Sequence, residues 1–113
     1  MKAKFDCVFY YVSNIEQAIA FYTDKLGLKL SSRDVVARLD LDGVLVELVP
    51  AERAANKSGG NARLCLRVDD IQTALAELRT KGVPASAVEP KQNGLLATLQ
   101  DPDGNEICLW QYT

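Results

Sequence analysis

The stretch Val12-Ser-Asn-Ile-Glu-Gln-Ala-Ile-Ala20 returns as Val68-Asp-Asp-Ile-Gln-Thr-Ala-Leu-Ala76. A valine, an isoleucine and two alanines recur in register, and Lys25 falls on Lys81. Downstream, Asp42-Gly43 followed by Glu47-Leu48 is echoed by Asp103-Gly104 followed by Cys108-Leu109. The recurrence falls near half of the 113-residue length, so the economical reading is two tandem modules of about 55 residues. The boundaries it predicts are module one over about residues 1–50, a linker over 51–61 and module two over 62–113. The linker is small and polar and carries Gly59-Gly60.

Each module has the same local logic. A strand comes first, over residues 5–12 and 63–68, rich in β-branched and aromatic side chains. A helix follows. Ser13-x-x-Glu16 and Asp69-x-x-Gln72 read as capping boxes, in which side chains satisfy open backbone N–H groups. Ile15, Ala18, Ile19, Tyr22 and Leu26 then make one apolar helical stripe, repeated by Ile71, Ala74, Leu75 and Leu78. Gly27 and Gly82 stop the helices. Strands are expected over 35–41 and 44–49, turning at Asp42-Gly43. Their counterparts are 95–100 and 106–112, turning through Asp101-Pro-Asp-Gly104, with short extra strands near 29–32 and 87–88. The fold class is therefore α+β, built from two βαβββ units.

Composition narrows the chemistry. There is no histidine, which excludes Ser/His/Asp and Cys/His nucleophiles and every His-ligated metal site. A net charge of −2 lacks the basic footprint that a nucleic-acid partner requires. No apolar run approaches the roughly 18–20 residues that cross a bilayer, and the start Met-Lys-Ala-Lys-Phe-Asp lacks a signal-like apolar core. Three cysteines, an odd number, suit free thiols in a reducing compartment, so the expected location is cytoplasmic.

The segments YYVSNIEQAIAFYTDKLGLKL, LRVDDIQTALAELRTKGV and LQDPDGNEICLWQ resemble the vicinal oxygen chelate superfamily of glyoxalase I, bleomycin-resistance proteins, fosfomycin-resistance enzymes and extradiol dioxygenases. The resemblance covers nearly the whole chain. It implies paired βαβββ modules whose curved mixed sheets enclose a cleft, often completed by homodimerisation. It also implies four pseudo-symmetric metal-ligand positions, on the first and last strand of each module. Here they hold Cys7, Arg63, Glu47 and Cys108. The internal repeat pairs the same positions, Cys7 with Arg63 and Glu47 with Cys108. Metal-dependent members place His or Glu at these sites, and only Glu47 is kept. Arg63 stays protonated and cannot ligate a metal. No metal and no cofactor are expected, and the pattern is more similar to bleomycin-resistance proteins, which sequester a drug without metal.

Strand alternation sends Val8, Tyr10 and Val12 toward the helix and Phe5, Cys7, Phe9 and Tyr11 toward the cleft. In module two Leu64, Leu66 and Val68 point inward, leaving Arg63, Cys65 and Arg67. On the last strands Glu47, Val49, Cys108, Trp110 and Tyr112 share the cleft face. The expected ligand-binding set is thus Cys7, Phe9, Tyr11, Glu47, Arg63, Cys65, Arg67, Cys108 and Trp110, with Glu47 pairing with Arg63 across the cleft. The aromatic members either line a pocket for a planar or amphipathic small molecule, or pack between modules or across a dimer interface. The expected function is metal-independent sequestration of such a molecule by a homodimer, with no catalytic residue assigned. The alternatives are a glyoxalase-like lyase or dioxygenase-related enzyme with a degenerate metal site, using Glu47 as general base, and a ligand-sensing accessory protein.

Overall fold

The computed structural model describes residues 1–2, 4–51 and 62–113. The expected linker therefore lies outside the described residues, apart from Ala51. The chain divides into two compact units, Met1–Lys57 and Ser58–Thr113.

Unit one runs β1 (Cys7–Val12), α1 (Ile15–Ala20), a π-helical segment (Phe21–Lys25), β2 (Lys29–Arg33), β3 (Ala37–Leu41) and β4 (Val44–Pro50). Its four strands form one mixed sheet in the order β1-β4-β3-β2. The first strand lies parallel to the last, with Cys7 beside Leu45, Phe9 beside Glu47 and Tyr11 beside Val49. The other pairs are antiparallel. Asp42 and Gly43 both take positive φ, 53° and 88°, the geometry that a two-residue hairpin between twisted strands demands.

Unit two repeats the plan with β5 (Leu64–Arg67), α2 (Ile71–Thr80), β6 (Glu89–Lys91), β7 (Gly94–Gln100) and β8 (Glu106–Tyr112). The sheet order is β5-β8-β7-β6, again with the first strand parallel to the last. The short strand expected at 87–88 sits slightly later, and Ala85 instead makes a single bridge to Leu99. Asp101 holds the turn before β8. Its buried carboxylate accepts from the backbone N–H groups of Asp103 and Asn105 at 2.9 and 2.8 Å and from Asn105 Nδ2 at 2.9 Å. The Asp-Pro-Asp-Gly segment is thus turn chemistry.

Alternation decides what each sheet buries. Val46 and Leu48 of β4, Ala37 and Leu39 of β3, and Val12 of β1 lie beneath helical Ala18, Phe21 and Tyr22 in the core of unit one. Ile107, Leu109, Ala97 and Leu99 are the sheet side of the second core, and Ile71, Leu75 and Leu78 its helix side. Each fully buried large apolar side chain contributes roughly 1.5–3 kcal/mol relative to exposure.

Two local expectations are corrected. The helix caps are Asn14 and Asp70, one residue later than the capping boxes place them. Asn14 Oδ1 accepts from Gln17 N at 3.0 Å, and Asp70 Oδ1 accepts from Gln72 N and Thr73 N at 3.1 and 3.2 Å. Both caps have extended backbone, so helical geometry begins only at Ile15 and Ile71. The other correction concerns the expected single helix through Leu26. It widens to π geometry after Ala20, where Leu26 N donates to Phe21 O at 3.1 Å. The wider turn lets adjacent Phe21 and Tyr22 both face the core, edge to face at 5.4 Å.

The cap assignment is testable by urea unfolding. Asp70→Ala should cost about 1 kcal/mol, while Asp69→Ala should stay within about 0.5 kcal/mol. A larger loss for Asp69→Ala would contradict the assignment.

Candidate functional site

The sheet faces turned away from the helices carry the expected binding set, except Arg63, which stands just before β5. In unit one Phe9 and Tyr11 stand on β1 with their rings edge to face at 5.4 Å. They are 49% and 54% exposed, although each is a large apolar ring on a well-formed strand. Glu47 lies beside Phe9 on the adjacent strand, and Arg38 lies beside Glu47 on β3. Arg38 Nε donates to Glu47 Oε2 at 3.0 Å. The same guanidinium reaches Ser32 Oγ at 3.3 Å and Asp34 Oδ2 at 3.5 Å. Cys7, at the start of β1, is half-buried. Burial, and then the Glu47 and Asp6 carboxylates beside it, push its thiol up. The thiol is a weak hydrogen-bond partner of both carboxylates.

In unit two Trp110 and Tyr112 of β8 make the matching edge-to-face pair at 5.7 Å. Trp110 is half-buried and Tyr112 is 62% exposed. Cys65, Arg67 and Arg63 stand exposed on or just before β5, and half-buried Cys108 sits beside Cys65. Arg63 Nε donates to Glu106 Oε1 at 2.6 Å. Burial raises the Cys65 thiol. Cys108 is raised by burial, by Cys65 and by Glu106, against the pull of Arg63. All three cysteines are free thiols.

Glu47 and Arg63, expected to pair across the cleft, stand in different units. Each charge finds a partner inside its own unit, Glu47 with Arg38 and Arg63 with Glu106. Adjacent strands of one sheet present these partners at close range, so neither charge needs a distant counterion. The four positions that the fold would use for a divalent ion do not suit one. Arg63 is a fixed cation, and Glu47 already binds a guanidinium. Among the described residues, no three His, Cys, Asp or Glu side chains converge on a common point. Nor, among them, is any helix long and apolar enough to cross a membrane.

Comparison with known proteins places this geometry. The model of the Glyoxalase/Bleomycin resistance protein/Dioxygenase superfamily matches residues 4–109. The chain belongs to that superfamily. No curated protein matches it. Among solved structures, a glyoxalase family protein from Enterococcus faecalis superposes with a TM-score of 0.81 at 19% identity, covering 96% of this chain and 97% of that one. TnmS3, an antibiotic binding protein from Streptomyces sp. CB03234, superposes with a TM-score of 0.75 at 27% identity over 100% of both chains. A glyoxalase/bleomycin resistance protein from the same Streptomyces strain is also 27% identical, with a TM-score of 0.69, covering 94% of this chain and 100% of that one.

Within this superfamily member, two site residues escaped the sequence reading. Arg38 was recoverable, because a two-residue Asp42-Gly43 turn sets Arg38 opposite Glu47 by simple counting along the hairpin. Gly94 carries no such signal. A methyl group built on it would overlap the Trp110 ring at Cζ2, with Cε2 and Cη2 at 2.6 Å. The indole therefore lies across the backbone of β7, and only glycine leaves it room. Gly94→Ala should destabilise the protein by about 1–3 kcal/mol through overpacking, and should shift Trp110 emission to the red as the ring is displaced into water. Unchanged emission and stability would show that the indole lies elsewhere.

Proposed function

We propose that the protein is a metal-independent small-molecule-binding protein of bleomycin-resistance type, which sequesters an aromatic or amphipathic compound on its open sheet faces. One observation carries the reading. Of the positions that would hold a metal, two carry charges that are already paired, Glu47 with Arg38 and Arg63 with Glu106, while Phe9, Tyr11 and Tyr112 remain solvent-facing. Aromatic rings kept in water on a rigid sheet are unfavourable unless something covers them, and planar ligands stack on such rings. Arg67 and the Arg38–Glu47 pair supply polar groups that orient a ligand. The likeness to an antibiotic binding protein over its full length supports the same reading. In this proposal the protein works in the cytoplasm as a homodimer, whose second copy covers part of the same aromatic surface.

Trp110 is the only tryptophan, so its emission reports on the site directly. In titrations with a panel of aromatic antibiotics that includes bleomycin, at least one compound should quench Trp110, and EDTA should leave that binding unchanged. A compound at 100 times its Kd should raise stability by about 2.7 kcal/mol in a thermal-shift assay. Phe9→Ala and Trp110→Ala should each weaken binding by about tenfold, since one lost aromatic contact is worth roughly 0.5–1.5 kcal/mol. Binding that requires a divalent ion, or that ignores both substitutions, would overturn the proposal.

A further inference from the structure

Cys65 and Cys108 occupy the same register position on adjacent parallel strands. Register partners in a sheet share a face, and neighbouring strands lie about 4.7–4.9 Å apart. The two sulfurs are close enough that the charge of one raises the proton affinity of the other. The spacing also discriminates between kinds of bridge. A disulfide wants its Cβ atoms about 3.5–4.5 Å apart, so a direct S–S bond would strain two strands held by the β5–β8 ladder. An atom inserted between the sulfurs removes that strain. With metal–sulfur bonds of about 2.3 Å, as in thiolate zinc sites, a near-linear S–metal–S unit spans about 4.6 Å between sulfurs.

We propose that Cys65 and Cys108 form a two-thiolate site for a monovalent thiophilic ion of the Cu(I) class. Soft thiolates select such ions, and Cu(I) accepts two ligands where zinc requires four. No third His, Cys, Asp or Glu side chain completes a cluster among the described residues. Binding follows 2 RSH + Cu⁺ → [Cu(SR)₂]⁻ + 2 H⁺, with no change of oxidation state. The product carries one negative charge beside the Arg63 guanidinium, which already favours the Cys108 thiolate, and Glu106 holds that guanidinium at 2.6 Å. Cys65 is exposed, so an ion reaches the pair from solvent. The site shares Cys108 with the four positions that the resemblance assigns to divalent ions, but takes its second ligand, Cys65, from outside them.

The test uses the full-length reduced protein under anaerobic conditions, titrated with Cu(I) against the coloured chelator bicinchoninate. The wild type should withdraw one equivalent of Cu(I) per chain and show thiolate-to-copper absorption in the ultraviolet. Cys65→Ser and Cys108→Ser should each lose that equivalent, whereas Cys7→Ser should keep it. Both replaced side chains are at least partly exposed, and far-UV circular dichroism verifies the fold of each variant. Uptake that persists in either Cys65→Ser or Cys108→Ser, uptake of half an equivalent per chain, or no withdrawal by the wild type would overturn the proposal.

Discussion

The parallel pairing of the first strand of each unit with its last is the constraint on which the rest depends. A parallel neighbour cannot be reached by a tight turn, so the chain must cross over between β1 and β4, and between β5 and β8. The helix in that crossover covers one sheet face and buries Val46 and Leu48 in unit one and Ile107 and Leu109 in unit two. Alternation then forces Glu47 and Cys108 to the opposite face. A slip of one residue would exchange the two faces along the whole strand, so the apolar positions that stabilise each unit also determine which residues stand on the open face.

What was legible in the sequence was local. The hairpin at Asp42-Gly43, the glycine stops at Gly27 and Gly82, and the turn locked by Asp101 depend on neighbours a few residues away, and the residue types announce them. The helix starts were legible to within one residue, because Ser13-Asn14 and Asp69-Asp70 each offer two capping side chains and only backbone geometry chooses between them. The π-helical widening at Phe21–Lys25 was not legible, since its benefit lies in burying Phe21 and Tyr22 together against the sheet. The set of residues on the open faces followed from alternation alone. Their partners did not. The ion pair of Arg63 with Glu106 and the side-by-side placement of Cys65 and Cys108 come from a parallel register that no turn sets.

The two units share a plan but have diverged in what they place on it. At equivalent positions, unit one holds Phe9 beside Glu47 and unit two holds Cys65 beside Cys108. The aromatic pair lies on the first strand of unit one, as Phe9 and Tyr11, and on the last strand of unit two, as Trp110 and Tyr112. Where unit one offers Phe9 and Tyr11, unit two offers Cys65 and Arg67.

The absence of histidine acquires a specific meaning from this arrangement. A metal-binding sheet must keep ligands that are electron-donating and free of competing partners. Here an arginine stands at one of the four positions, and a second arginine from β3 binds the one remaining carboxylate. Restoring a single histidine at Cys7 would therefore leave Glu47 held by Arg38 and Arg63 still cationic. A divalent ion at these positions would therefore require changes at more than one of them together. The strand register holds these residues in place, and the charges among them are satisfied within each unit, Glu47 by Arg38 and Arg63 by Glu106.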